Sequence, residues 1–129
     1  MSNRWIVLAA LLAALGVAMG AFGAHVLKLW LPLQKMTIFE TAVRYHLFHT
    51  LALLACGVLI TTHPAHAAGL RWVAGLLTAG IVLFSGGLYA AALSDLDPFM
   101  WATPVGGLAW IAAWLLLAYL FWRKPGRGA

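Results

Sequence analysis

The sequence predicts an all-α integral membrane protein: a four-helix bundle with a short interfacial segment between helices 1 and 2. Three observations predict it. First, the 129 residues are 64% hydrophobic and 9% charged, with a mean hydropathy of +0.95. A water-soluble domain carries about 25% charged residues, so eight Lys/Arg and three Asp/Glu cannot coat this chain. Second, the apolar residues fall into four runs of about 20 residues. Each makes about 30 Å of helix, the thickness of a hydrocarbon core, and backbone groups in lipid must bond internally. Third, tryptophans and basic residues bracket those runs, as anchors at the lipid–water boundary do.

The predicted spans are 5–25, 42–62, 70–93 and 103–122, within one transmembrane domain covering 1–129. Arg4, the apolar run after it and the small residues near Ala21-Phe22-Gly23 also fit a secretory leader. That run is longer than a usual leader core, so it is read as a span. Pro32 ends an interfacial stretch around Leu27–Leu31. Thr37-Ile38-Phe39-Glu40 reads as a capping box, starting helix 2 near residue 38. Thr103 followed by Pro104 reads as the N-cap and first residue of the last span. Pro125 and two glycines end it, leaving a frayed tail.

Four spans put both termini and the loop at 63–69 on one side. That side holds Arg4, Arg71, Arg123, Lys124 and Arg127, against Lys28, Lys35 and Arg44 with all three acidic residues on the other. The excess predicts cytoplasmic termini. Trp5, Trp72 and Trp122 fall near the inner boundary, Trp30 and Trp101 near the outer one. The net charge of +5 therefore reports orientation. It does not point to nucleic acid, because no basic patch with interleaved aromatics exists. Cys56, the lone cysteine, sits in an apolar run and reads as core filling.

Small residues mark where helices approach. Gly16, Gly20 and Gly23 fall within about 60° of one another on span 1, and such stripes drive association in lipid. Span 3 offers Gly75, Ala79 and Gly80, then Ser85-Gly86-Gly87; span 4 offers Gly106 and Gly107. Trp110 and Trp114 share the glycine face of span 4, so their N–H groups need partners inside the bundle.

Chain reversal gathers polar residues on the outer side: His25, Glu40, Arg44, Tyr45, His46, His49, Ser85, Tyr89, Asp95, Asp97 and Thr103. Glu40 and Arg44, four apart, are expected to form an ion pair. Tyr45 and His49 lie on the opposite face, with His46 about 60° from His49. His46 and His49 could share a metal or haem iron with His25, but without Cys or a same-face carboxylate no metal or cofactor is assigned. The preferred reading is that these histidines sit near the interface and tie helix 2 to spans 1 and 3. Asp95 and Asp97 before Pro98 read as a turn. No phosphate loop, Ser-His-Asp pattern or His-Glu-x-x-His motif is present.

Four segments carry a family resemblance. They are Gly20-Ala21-Phe22-Gly23-Ala24-His25-Val26-Leu27; Thr41-Ala42-Val43-Arg44-Tyr45-His46-Leu47-Phe48-His49-Thr50-Leu51-Ala52; Val82-Leu83-Phe84-Ser85-Gly86-Gly87-Leu88-Tyr89; and Thr103-Pro104-Val105-Gly106-Gly107. In this order and spacing the chain resembles the domain of unknown function family number 423. These are small bacterial inner-membrane proteins, with a related eukaryotic protein called transmembrane protein 256. The resemblance implies a four-helix membrane protein without an established activity. It also implies that a shared function rests on His25, Tyr45, His49, Ser85, Tyr89 and Thr103, which match the pattern. His46 stands where the family often has Gln, Gly87 where it often has Ser, and position 44 need not be basic.

The favoured function is a non-enzymatic packing or accessory protein, a homo-oligomer or a subunit of a larger membrane assembly. A binder of quinone, lipid headgroup, haem or metal near the outer leaflet is the first alternative. A transporter is the second, disfavoured because no acidic residue lies at a span's centre.

Overall fold

The computed structural model describes residues 3–95 and 101–123. Its elements are α1 (Arg4–His25), a 3-10 turn (Leu27–Leu29), α2 (Leu33–Thr62), a second 3-10 turn (Pro64–His66), α3 (Ala67–Gly80), a π-turn (Ile81–Ser85), α4 (Gly86–Leu93) and α5 (Ala102–Trp122). The backbone stays helical through Gly80, Ile81, Ser85 and Gly86. Pro64–Leu93 is therefore one rod, and the described residues hold four helical stretches long and apolar enough to cross a membrane.

α2 and the α3–α4 rod form the centre. α1 packs on α2 and α5 packs on the rod, while α1 and α5 do not pack closely on each other. The main core gathers Ala9, Leu53, Cys56, Leu70, Leu77 and Trp110. Cys56 is buried there, its thiol donating to the Leu70 carbonyl at 3.2 Å. A second cluster, around Leu27, Met36, Phe39 and Ala92, closes the other end.

Contacts between helices fix the alternation of direction. Asn3 caps α1 by accepting from the Trp5 and Ile6 amides, and its Nδ2 donates to the Gly57 carbonyl at 2.7 Å. Gly69 meets Leu120. The start of α1, the end of α2, the start of α3 and the end of α5 thus share one end of the molecule. At the other end Lys35 Nζ donates to the Ser94 carbonyl and to Asp95, both at 2.8 Å.

Two helix starts differ from the expected ones. α2 begins at Leu33, directly after Pro32, and Thr37 does not cap it. Pro32 is extended (ψ 151°) and breaks the preceding turn. The Thr37 hydroxyl donates to the Leu33 carbonyl four residues back, so it serves inside the helix. α5 begins at Ala102, which places Thr103 and Pro104 in its first turn instead of at its cap. The expected Glu40–Arg44 ion pair is also absent. Among the described residues the ion pair is Lys35–Asp95, and Glu40 and Arg44 are both exposed and unbonded. Asp97, Pro98 and the tail from Lys124 lie outside the described residues.

Glycines do the expected work at some positions and not at others. A methyl on Gly16 would come within 2.6 Å of Leu47, and one on Gly23 within 2.7 Å of Phe39. On Gly106 it would strike the backbone nitrogen of Phe84, and on Gly80 the Trp110 indole. Gly20 has only an ordinary contact with Val43 at 3.4 Å. Gly86 and Gly107 face room enough for a side chain, so their place in the predicted packing stripes is corrected. Each stands one residue off the position in tightest contact, since consecutive helix residues differ by about 100°.

Candidate functional site

The polar residues of α2 lie deeper than expected. His46 Nε2 is 2.8 Å from the carbonyl of Leu12, near the middle of α1. Its Nδ1 is 2.9 Å from the Tyr89 hydroxyl. A carbonyl only accepts, so Nε2 carries the hydrogen and, in the neutral ring, Nδ1 receives the tyrosine O–H. Gly16 makes this reach possible, for its missing side chain would point at Leu47 and stand 3.4 Å from His46 Nε2. One imidazole thereby joins α1, α2 and α4.

His49 is spent in a similar way. Nδ1 lies 3.0 Å from the Tyr45 carbonyl and takes the donor role there. Nε2 then accepts from the Trp114 indole N–H at 3.3 Å. The ring lies flat on Trp110, with centroids 3.7 Å apart and planes 3° apart. Trp110 in turn donates to the Leu77 carbonyl at 3.1 Å and packs on Phe84 and Tyr45. Both mid-span indoles thus find the partners that their position in lipid requires.

The π-turn positions the third contributor. Ser85 is fully buried and donates to the Ala42 carbonyl at 2.9 Å. In an unbroken α-helix, residues four apart drift by about 40°. The widened turn offsets that drift and keeps Leu77, Ile81, Ser85 and Tyr89 on the buried side of the rod. Such turns are frequent at functional sites, and Ile81–Ser85 carries no Gly or Pro that would have revealed this one.

The six sequence candidates therefore do not form one site. Tyr45 and His49 line a common groove of about 290 Å³ with Arg44 and Phe48. Ser85 and Tyr89 tie the rod to α2. Thr103 sits against Gly87 at the α4–α5 contact. His25 is exposed at the end of α1, thirteen residues from Leu12 and so about 20 Å along the helix from His46. A shared metal site with His46 and His49 is not available to it, and no group of three metal-ligating side chains converges among the described residues.

The expectation of interfacial histidines is corrected for the same reason. Counting from the apolar run put His46 one turn inside the boundary. α2 starts at Leu33, nine residues before the apolar span and about five before the expected helix start, with Leu33 to Thr41 lying beside the interfacial turn and the Ser94–Asp95 corner. That moves His46 and His49 to the middle of the helix. Reading the sequence also passed over Thr50, one turn beyond His46, which is 1% exposed and whose hydroxyl has no hydrogen-bond partner among the described residues.

Comparison with known proteins places this geometry in a family. A UPF0382 membrane protein of Staphylococcus saprophyticus is 41% identical over 113 residues, 88% of this chain and 92% of the relative. The UPF0382 inner membrane protein YgdD of Escherichia coli K12 is 39% identical over 118 residues, 91% and 88% of the two chains. A UPF0382 membrane protein of Haemophilus influenzae is 36% identical over 121 residues, 92% and 94% of the two. No solved structure matches the chain. The model of the family described as "Protein of unknown function (DUF423)" matches residues 19–107, which contain His46, His49 and Ser85 themselves, and the chain belongs to that family of membrane proteins.

Proposed function

We propose that this chain is a non-enzymatic packing or accessory protein of the bacterial inner membrane, acting as a homo-oligomer or within a larger membrane assembly. The observation that carries the reading is the fate of its deep polar groups. Both nitrogens of His46, both of His49, the Ser85 hydroxyl and the Trp110 and Trp114 N–H groups are all engaged in bonds within the protein. A general base or metal ligand needs a free lone pair aimed at substrate or ion, and these atoms offer none. Meanwhile α1 exposes Leu11, Leu15 and Val17, and α5 exposes Leu108, Ile111 and Leu115, apolar faces fit for lipid or for another membrane helix.

The test is extraction into a lipid-preserving polymer, followed by mass spectrometry of the intact particles. A defined oligomer or a stoichiometric partner is the expected result. A lone monomer that turns over a substrate overturns the proposal. The termini belong on the cytoplasmic side in this reading, where the basic residues accumulate. Reporters inserted after residues 66 and 127 should then read cytoplasmic, and one after residue 33 should read external.

A further inference from the structure

α2 and α5 both pack on the α3–α4 rod and meet each other through large side chains, His49 on Trp110 and Trp114 and Phe48 on Trp114, while their backbones stay apart and leave a cleft beside these rings. Its outer half is the groove of Arg44, Tyr45, Phe48 and His49. Further along the same face of the two helices, Trp114, bonded to His49, lines a second apolar hollow with Leu59, Leu117 and Phe121. Polarity is graded along it. Arg44 and Tyr45 stand at the top, aromatic rings follow, and aliphatic side chains lie below.

The top of the cleft carries hydrogen-bond donors without acceptors. Arg44 makes no ion pair or hydrogen bond among the described residues, and the Tyr45 hydroxyl makes no hydrogen bond there. An unpaired guanidinium flanking hydrocarbon is costly. Helical side chains lean toward the helix N-terminus, here the outer end, and a long Arg extends that way to reach the headgroup layer. Glu40, a turn further out, lines the neighbouring groove between α1 and α2 with Gly20, Gly23 and Phe39; Arg44 borders both grooves and forms no ion pair with Glu40.

We infer that the cleft holds an anionic phospholipid of the outer leaflet, its phosphate on Arg44 and Tyr45 and one acyl chain running past Phe48 toward Trp114. Charge complementarity selects the headgroup, since Arg presents several N–H donors in a fork matched to phosphate oxygens. The order of charge above rings above aliphatics matches the order within a lipid molecule. This goes beyond the accessory role and takes only the choice of leaflet from it, so a failed lipid preference and a failed oligomer or partner are told apart.

The experiment is native mass spectrometry of the full chain in detergent, titrated with phosphatidylglycerol or with phosphatidylcholine of the same acyl chains. The wild-type protein should bind the anionic lipid about tenfold more tightly, the scale of one charge-assisted contact. Arg44→Gln should abolish that preference, while Arg71→Gln, at the opposite end, should keep it. Arg44 is exposed, so its variant is expected to elute and melt like the parent. Equal binding of both lipids by the wild type, or an undiminished preference in Arg44→Gln, overturns the inference. So does disulfide cross-linking of Phe48→Cys to a second copy at the expense of bound lipid, which would give the cleft to protein.

Discussion

The seam between α1 and α2 and the seam between the α3–α4 rod and α5 use the same residue type for different purposes. In the first, Gly16 and Gly23 accommodate the side chains of Leu47 and Phe39. In the second, Gly106 lies directly on the backbone of Phe84, beside the π-turn. A side chain gives way by changing rotamer, whereas a backbone gives way only by moving a helix. The α1 seam is also tied by the His46–Leu12 hydrogen bond, and the α5 seam by Trp110–Leu77. Both seams use glycine as a spacer for side chains, Gly80 doing so for Trp110 in the second, and only at Gly106 of these positions does a neighbouring helix backbone come so close.

Alanine at the two positions should separate these roles most widely. Gly106→Ala is expected to cost about 3 kcal/mol, the upper range for overpacking, because the clash is with backbone. Gly16→Ala should cost about 1 kcal/mol as Leu47 shifts. Gly107→Ala, one residue from the first, should be silent. Thermal unfolding in detergent measures all three. Equal losses at Gly16 and Gly106 would dissolve the distinction.

His46→Ala comes next. It removes hydrogen bonds to α1 and α4, strands the Tyr89 hydroxyl and leaves a cavity, so a loss of about 2 to 3 kcal/mol is expected. His46→Gln should recover part of it, since an amide can donate and accept at once. Denaturant titration followed by tryptophan fluorescence would read the order. A harmless His46→Ala would mean that α1 is held by glycine packing and the Asn3–Gly57 bond without help from His46.

What the sequence revealed follows from where its signals are local. Four apolar runs were enough for four helices, because hydrocarbon leaves the backbone no alternative. The need for partners on Trp110 and Trp114 was legible for the same reason. Depth was not legible. The first nine residues of α2 include Gln34, Lys35, Thr37 and Glu40, so hydropathy excludes them although they are helical. Losing them displaced His46 and His49 toward the boundary. The Glu40–Arg44 spacing was correctly placed on one helix face, but spacing permits an ion pair without enforcing one. The π-turn coincides with the tie from Ser85 to Ala42, a contact 43 residues apart that no local pattern encodes.

Thr50 offers a smaller test within the central pair, α2 and the rod. Its hydroxyl is buried and has no hydrogen-bond partner among the described residues, in contrast to Ser85 across the same core. Thr50→Val keeps the shape and removes the stranded group, so it should stabilise by about 1 kcal/mol. Ser85→Ala should destabilise by a similar amount. Opposite signs in thermal melts are expected. A loss of stability in Thr50→Val would show that the hydroxyl has a partner after all, such as a buried water.

The smallest effect belongs to the outer corner, where Lys35 holds Ser94 and Asp95. The hydrogen bond from Lys35, and then its charge, keep the Asp95 carboxyl below the usual carboxylate range. A lowered pKa means that folding favours the ionised form. The contribution is therefore complete above the unfolded carboxylate value and is lost as pH falls through the depressed one. Asp95 is fully exposed, so solvent screens the pair and the effect on global stability is slight. A local reading is more sensitive. Acidification should increase proteolytic cutting next to Ser94 in the wild type, while Asp95→Asn should be cut more readily at neutral pH and respond less to acid. An acid response unchanged by that substitution would move the titrating group elsewhere and leave Lys35 with the Ser94 carbonyl as its only tie.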